Sequence, residues 1–213
     1  SGGFLAVAWS DFFQGSLMFV ALLLLPIVAF FGLPSDTSII NGLNAIDPAL
    51  LNIWGPGGFN WINFATVAGL VSIGIGFLGS PQVYVRFIAI ESEDEVEKGK
   101  WVAIIYTLLT DTAAVMIGIL GRYILTKSGQ DPEVVLGTAG ENVLALLLNQ
   151  VMPVVIIGIY IAAVLSAVMS TVDSLLVVAS SAVTRDFYQQ IIHPDADEKR
   201  LIGLSRKVTL SLA

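Results

Sequence analysis

Apolar residues run along this chain in blocks too long for one face of a surface helix or strand. Residues 12–35, 48–85 and 142–172 contain no charged side chain. A bilayer core takes about 20 apolar residues of helix, so each block is long enough to span one. The stretch 101–126 is a fourth block, interrupted by Asp111 and Arg122, and a fifth starts near Gly203 and stops with the chain at Ala213. The pattern predicts membrane helices over about 4–32, 59–87, 101–126 and 151–186, and the start of another over 203–213. The connections are then 33–58, 88–100, 127–150 and 187–202. Asp47-Pro48 and Asp131-Pro132 each place a capping carboxylate before a proline suited to a first helical turn. They predict short interfacial helices near 47–53 and within 131–150.

Composition sharpens this into a polytopic membrane protein. Of 213 residues 55% are hydrophobic and 13% charged, with a mean hydropathy of +0.83, where a soluble domain carries roughly 25% charged residues. Disorder is excluded by the apolar content, and a disulfide scaffold by the absence of cysteine. A net charge of −7 leaves no basic face for nucleic acid. The chain opens at Ser1 with no signal-peptide pattern and closes inside an apolar run. The expectation is a single transmembrane domain, 1–213, belonging to a larger, transporter-sized protein.

Charge placement gives a sidedness. Arg86, Lys98 and Lys100 flank the second connection, and Arg185, Lys199, Arg200, Arg206 and Lys207 flank the fourth, while only Arg122 and Lys127 lie by the third. Cytoplasmic loops collect Lys and Arg, so 88–100 and 187–202 are expected inside, with 33–58 and 127–150 outside. The acidic run from Glu91 to Glu97 reads as a solvated loop. His193, the single histidine, reads as a turn residue and makes no metal site.

A charge at mid-bilayer costs about 2.5–3.5 kcal/mol on insertion scales, so an intramembrane acid is a functional candidate. Asp11, Asp111 and Asp173 qualify. At about 100° per residue, with Ser170 at zero, Ser166 falls near −40°, Asp173 near −60°, Ser174 near +40°, Ala167 near +60° and Thr171 near +100°. One side of an apolar helix thus carries hydroxyls and a carboxylate. Oxygen ligands of this kind suit a hard cation such as sodium; equally, small Ser and Ala residues let helices approach closely. Asp11 is close enough to the helix start to reach water, with Gln14 one turn along. Asp111 reads as a proton or ion ligand, a buried hydrogen-bonded group or a partner for Arg122, although eleven residues span about 16 Å of helix. Gly69, Gly74, Gly76, Gly79 and Pro81 invite either a helix break lining a cavity or a close-packed glycine face.

Three segments carry a resemblance to a known family: 2–15 (GGFLAVAWSDFFQG), 76–87 (GFLGSPQVYVRF), and 162–174 continuing to Ala182. In these the chain resembles the sodium/solute symporter family, nearest its sodium/proline branch. The resemblance implies an all-α integral membrane fold: a fragment of a LeuT-like transporter with two inverted five-helix repeats. The four full helices and the truncated 203–213 would be core helices five to nine. It implies a principal sodium site on which Ala167 offers a carbonyl and Ser170 and Thr171 offer hydroxyls. A second sodium site, present in some members, maps onto Asp11, Asp173 and Ser174 together with Ser170. Asp173 departs by offering a carboxylate where a hydroxyl is usual.

The family's solute site maps onto Ile73, Phe77, Pro81 and Gln82. Proline symporters carry a Trp and a Tyr where this chain has Ile73 and Phe77, so a polar solute finds two fewer hydrogen-bond partners here. The implied function is sodium-coupled import of a small organic solute, an amino acid such as proline or another small organic acid, by alternating access across a bacterial inner membrane. The alternative is a symporter-like sensory domain that binds solute without moving it. The implied partners are Na+, the solute and lipid, with no other cofactor and no enzyme chemistry.

Overall fold

A computed structural model describes residues 3–55, 57–77, 79–126 and 130–213. Every regular element among them is helical. In chain order these are α1 (Gly3–Phe31), α2 (Ile39–Ile46), a 3-10 turn at Pro48–Leu51, α3 (Trp61–Phe77), α4 (Pro81–Ile88) and α5 (Glu93–Leu125). After them come α6 (Pro132–Leu136), a 3-10 turn at Thr138–Gly140, α7 (Val143–Val151), α8 (Val154–Ser181), a π-helical continuation at Ala182–Ile192, and α9 (Glu198–Leu212). Three helical stretches among the described residues are long and apolar enough to cross a bilayer: Leu5–Phe31, Glu93–Leu125 and Val154–Ile192.

The predicted helix over 59–87 is instead two pieces. α3 has 17 residues, about 25 Å at 1.5 Å each, and α4 has eight. The second helix starts at the carbonyl of Ser80, which accepts from the amides of Val83 and Tyr84 at 3.0 Å. Pro81 then fits the first helical position, where its missing N–H costs nothing. A Cβ built on Gly69, Gly74 or Gly76 would meet no described atom within 4 Å. For this glycine-rich segment, α3 ends at Phe77 and α4 starts at Pro81.

Three other boundaries shift outward, into polar sequence that hydropathy does not see. α5 begins at Glu93 rather than 101, so the acidic run expected as a loop is largely helix. Glu93, Asp94 and Glu95 face the positive end of the helix dipole, and Lys98–Glu95 and Lys100–Glu97 pair at 3.4 and 2.9 Å. α9 begins at Glu198 rather than 203. Glu198 there accepts from Arg185 at 2.9 Å and Leu201 turns inward. The α8 stretch runs on to Ile192, past the expected 186.

The structure divides into two compact units. The first comprises Ser1–Met18, Leu78–Glu93 and Ala163–Ala213: the start of α1, α4, the second half of α8, its π continuation and α9. The second comprises Phe19–Phe77 and Asp94–Ala162. The core of the second unit is built on Leu25, Leu120 and Leu147, whose side chains are fully buried. Close approach there requires glycine, since a Cβ on Gly121 would lie 2.4 Å from Cγ1 of Val143. Its two Asp-Pro signals act as expected: the Asp47 carboxylate accepts from Ala49 N at 2.9 Å, and that of Asp131 from Glu133 N at 3.0 Å.

Candidate functional site

The first unit concentrates polar side chains on three helices. Asp11 on α1 is the hub, its side chain 17% exposed. Ser170 on α8 donates to its Oδ1 at 2.5 Å. Arg86, in the last turn of α4, pairs with its Oδ2. The same Nη2 of Arg86 donates to Oγ of Ser174 at 2.8 Å. Ser170 and Ser174 are four apart on α8 and so share a face, and Ser174 is buried. One guanidinium and one carboxylate therefore join α1, α4 and α8. Of the residues assigned to a second sodium site, Asp11, Ser170 and Ser174 come together, with Arg86 among them.

Asp173 does not join this cluster. It lines a cleft of about 780 Å³ in the same unit, with Ser10, Ser180, Thr184, Arg185 and Arg206. Among the described residues no group of three or more acids or histidines gathers to hold a metal ion.

The three residues assigned to the principal sodium site occupy adjoining positions of α8. Thr171 is exposed and its hydroxyl donates to the carbonyl of Ala167 at 3.3 Å, while the hydroxyl of Ser170 is directed to Asp11. Both hydroxyl protons thus have protein acceptors, which leaves oxygen lone pairs as the free chemistry of this surface. Such a donor set suits a hard cation.

Of the solute-site candidates, Ile73 and Phe77 lie near the end of α3 in the second unit, both exposed. Pro81 opens α4 in the first unit. Gln82 follows in the first turn of α4; its side chain lies outside the described residues, as does Lys127. Asp111 is exposed on α5 and makes neither an ion pair with Arg122 nor a buried hydrogen bond. Of the three readings open for Asp111, the Arg122 pairing is weak on the helical distance between the two, and it does not form among the described residues.

Arg86 is the residue that sequence reasoning used only for sidedness. It is the first Lys or Arg in the chain, and an acid inside a membrane calls for a partner. That signal was available in the sequence, but the 75 residues between Arg86 and Asp11 hid the pairing.

Long apolar helices, one of them broken, with an acid, an arginine and hydroxyls gathered among them, are the makings of a multi-pass membrane transporter. The sodium:solute symporter family profile matches residues 1–213, and the chain belongs to that family, whose members are transporters and not enzymes. It is similar to the high-affinity proline transporter PutP of Bacillus subtilis, 33% identical over 215 residues that cover all of this chain and 43% of that protein. It is also similar to the osmoregulated proline transporter OpuE of the same organism, at 31% over 100% of this chain and 41% of the relative. The sodium/proline symporter of Staphylococcus aureus is 32% identical over 100% of this chain and 40% of its own length. The chain thus spans about two fifths of these curated relatives. No solved structure matches it at a significant level.

Proposed function

We propose that the full-length protein is a sodium-coupled symporter of a small organic solute, an amino acid such as proline or another small organic acid, with a LeuT-like arrangement. The observation that carries this reading is the family match along the whole chain. The names of the similar proteins, all proline transporters, support the solute class. At residue level the support is the oxygen surface of Ala167, Ser170 and Thr171.

In this reading sodium binds that surface, facing ligands from elsewhere in the protein. Solute binds where the family resemblance assigns it, with Ile73, Phe77, Pro81 and Gln82 as its neighbours. Sodium and solute raise each other's affinity, typically by about 1–3 kcal/mol, and rocking of one helix bundle against the other exposes the site to each side in turn. The α3–α4 segment, 59–87, and the helices over 4–32, 101–126 and 151–186 are four crossings of a bacterial inner membrane, with 88–100 and 187–202 cytoplasmic.

The test is uptake of radiolabelled proline, with other amino and small organic acids as competitors, into proteoliposomes of full-length protein under a sodium or a potassium gradient. Thr171→Ala is the matching variant, because its hydroxyl lies on the sodium surface and outside the Asp11 cluster. Uptake driven by sodium alone, with the half-saturating sodium concentration raised in the variant, is the expected result. Sodium-independent uptake, or a variant with an unchanged sodium response, overturns the assignment.

A further inference from the structure

We propose that the guanidinium of Arg86 is a built-in cation that takes the place of a second sodium ion at Asp11, Ser170 and Ser174, so that the protein runs on a single coupling sodium. This rests on the reading of α8 as a sodium-binding helix. The cluster has the ingredients of a cation site: a mostly buried carboxylate and two hydroxyls one turn apart on a facing helix. Near them Gln14, one turn along α1 from Asp11, keeps a buried Oε1 with no hydrogen-bond partner among the described residues. A carboxylate in such surroundings needs a positive charge close by. Arg86 supplies it from within the chain, with one nitrogen bonded to both Asp11 and Ser174.

Two consequences follow from the chemistry of arginine. A guanidinium stays charged at any physiological pH, so the site neither fills nor empties with the sodium gradient. It is also covalently part of α4, so the charge pair fastens the helix after the break to α1 and α8. A sodium ion at the same oxygens would leave during each transport cycle; Arg86 stays with its helix.

The experiment is equilibrium binding of radiolabelled sodium to purified full-length protein in detergent, counted per protein, with melting temperature as a check on folding. Wild type should bind one sodium. Arg86→Gln frees the carboxylate and hydroxyls and should bind two, with a steeper sodium dependence of uptake. Arg86→Lys keeps the charge and should bind one. Asp11→Asn keeps an oxygen that can accept from Ser170 and should also bind one.

Two sodium ions in wild type, or one in a folded Arg86→Gln variant, overturn the proposal while leaving sodium coupling in place. Should Arg86→Gln fail to fold, Asp11→Asn decides: loss of a sodium relative to wild type means that Asp11 is itself a sodium ligand and the proposal is wrong. No sodium bound by wild type overturns both this proposal and the symporter reading.

Discussion

The hydroxyl of Tyr160 donates to the carbonyl of Ala21, 139 residues earlier, at 2.5 Å in a buried contact between α8 and α1. Its place along α1 is informative. Pro26 lies inside that helix, and a proline there removes one backbone donor and crowds the carbonyl four residues before it. The carbonyl left without its helical donor by Pro26 is that of Leu22, while Ala21 is paired in the helix with the amide position of Leu25, so the phenol ties α8 to α1 without filling the gap that the proline leaves. Tyr160→Phe keeps the ring and deletes the donor. The expected cost is about 1 kcal/mol, read as a lowered melting temperature of the full-length protein in detergent. A Pro26→Ala background restores a donor to Leu22 and should leave that cost unchanged. A smaller loss in the Pro26→Ala background would instead couple the phenol to the gap left by the proline.

The approach of α5 to α7 makes a second, sharper stability prediction. A Cβ on Gly121 would sit 2.4 Å from Cγ1 of Val143, and valine in a helix has essentially one rotamer to occupy. Gly121→Ala should therefore destabilise by about 1–3 kcal/mol through overpacking, despite the better helix propensity of alanine. Val143→Ala in the same protein should recover most of that loss. A double variant no more stable than Gly121→Ala would show that the strain lies elsewhere.

Caps in the same unit should act only locally. The Asp131 carboxylate holds the amide of Glu133 at an exposed position, so Asp131→Ala forfeits about 1 kcal/mol of N-cap energy. α6 has only five residues, and the loss should appear as faster amide exchange over 132–136 with little change in the global melting temperature. A global shift as large as that of Gly121→Ala would mean that α6 is part of the cooperative core.

Much of the architecture was legible because the bilayer imposes a length on apolar sequence. The charge-free blocks gave α1 and most of α8, and the two Asp-Pro pairs capped the elements expected of them. What hydropathy could not see was helix made of polar residues, at Glu93–Glu97 and again from Glu198, where stability comes from the dipole and ion pairs. The helical wheel of α8 brought Ser170 and Ser174 to one face correctly. It placed Asp173 on that side too, but Asp173 makes no bond to Asp11 or Arg86 and lines the cleft instead. The Arg86 pairing needed tertiary structure, because nothing in the local spacing points from residue 86 to residue 11.

The break between α3 and α4 carries the last prediction, which concerns function. The residue before a proline is pushed out of the helical region, so Ser80 cannot extend α3, and its carbonyl is used to start α4. Pro81→Ala lifts that restriction and restores an N–H, allowing helix to extend back through residues 79–81 and to shift the first turn of α4. If Pro81 and Gln82 neighbour the solute, its half-saturating concentration should rise about tenfold, equivalent to about 1.4 kcal/mol. Sodium-specific thermal stabilisation should persist, because Ala167, Ser170 and Thr171 are on a different helix. Loss of both responses together would make Pro81 a folding residue. An unchanged solute response would remove the start of α4 from the solute site.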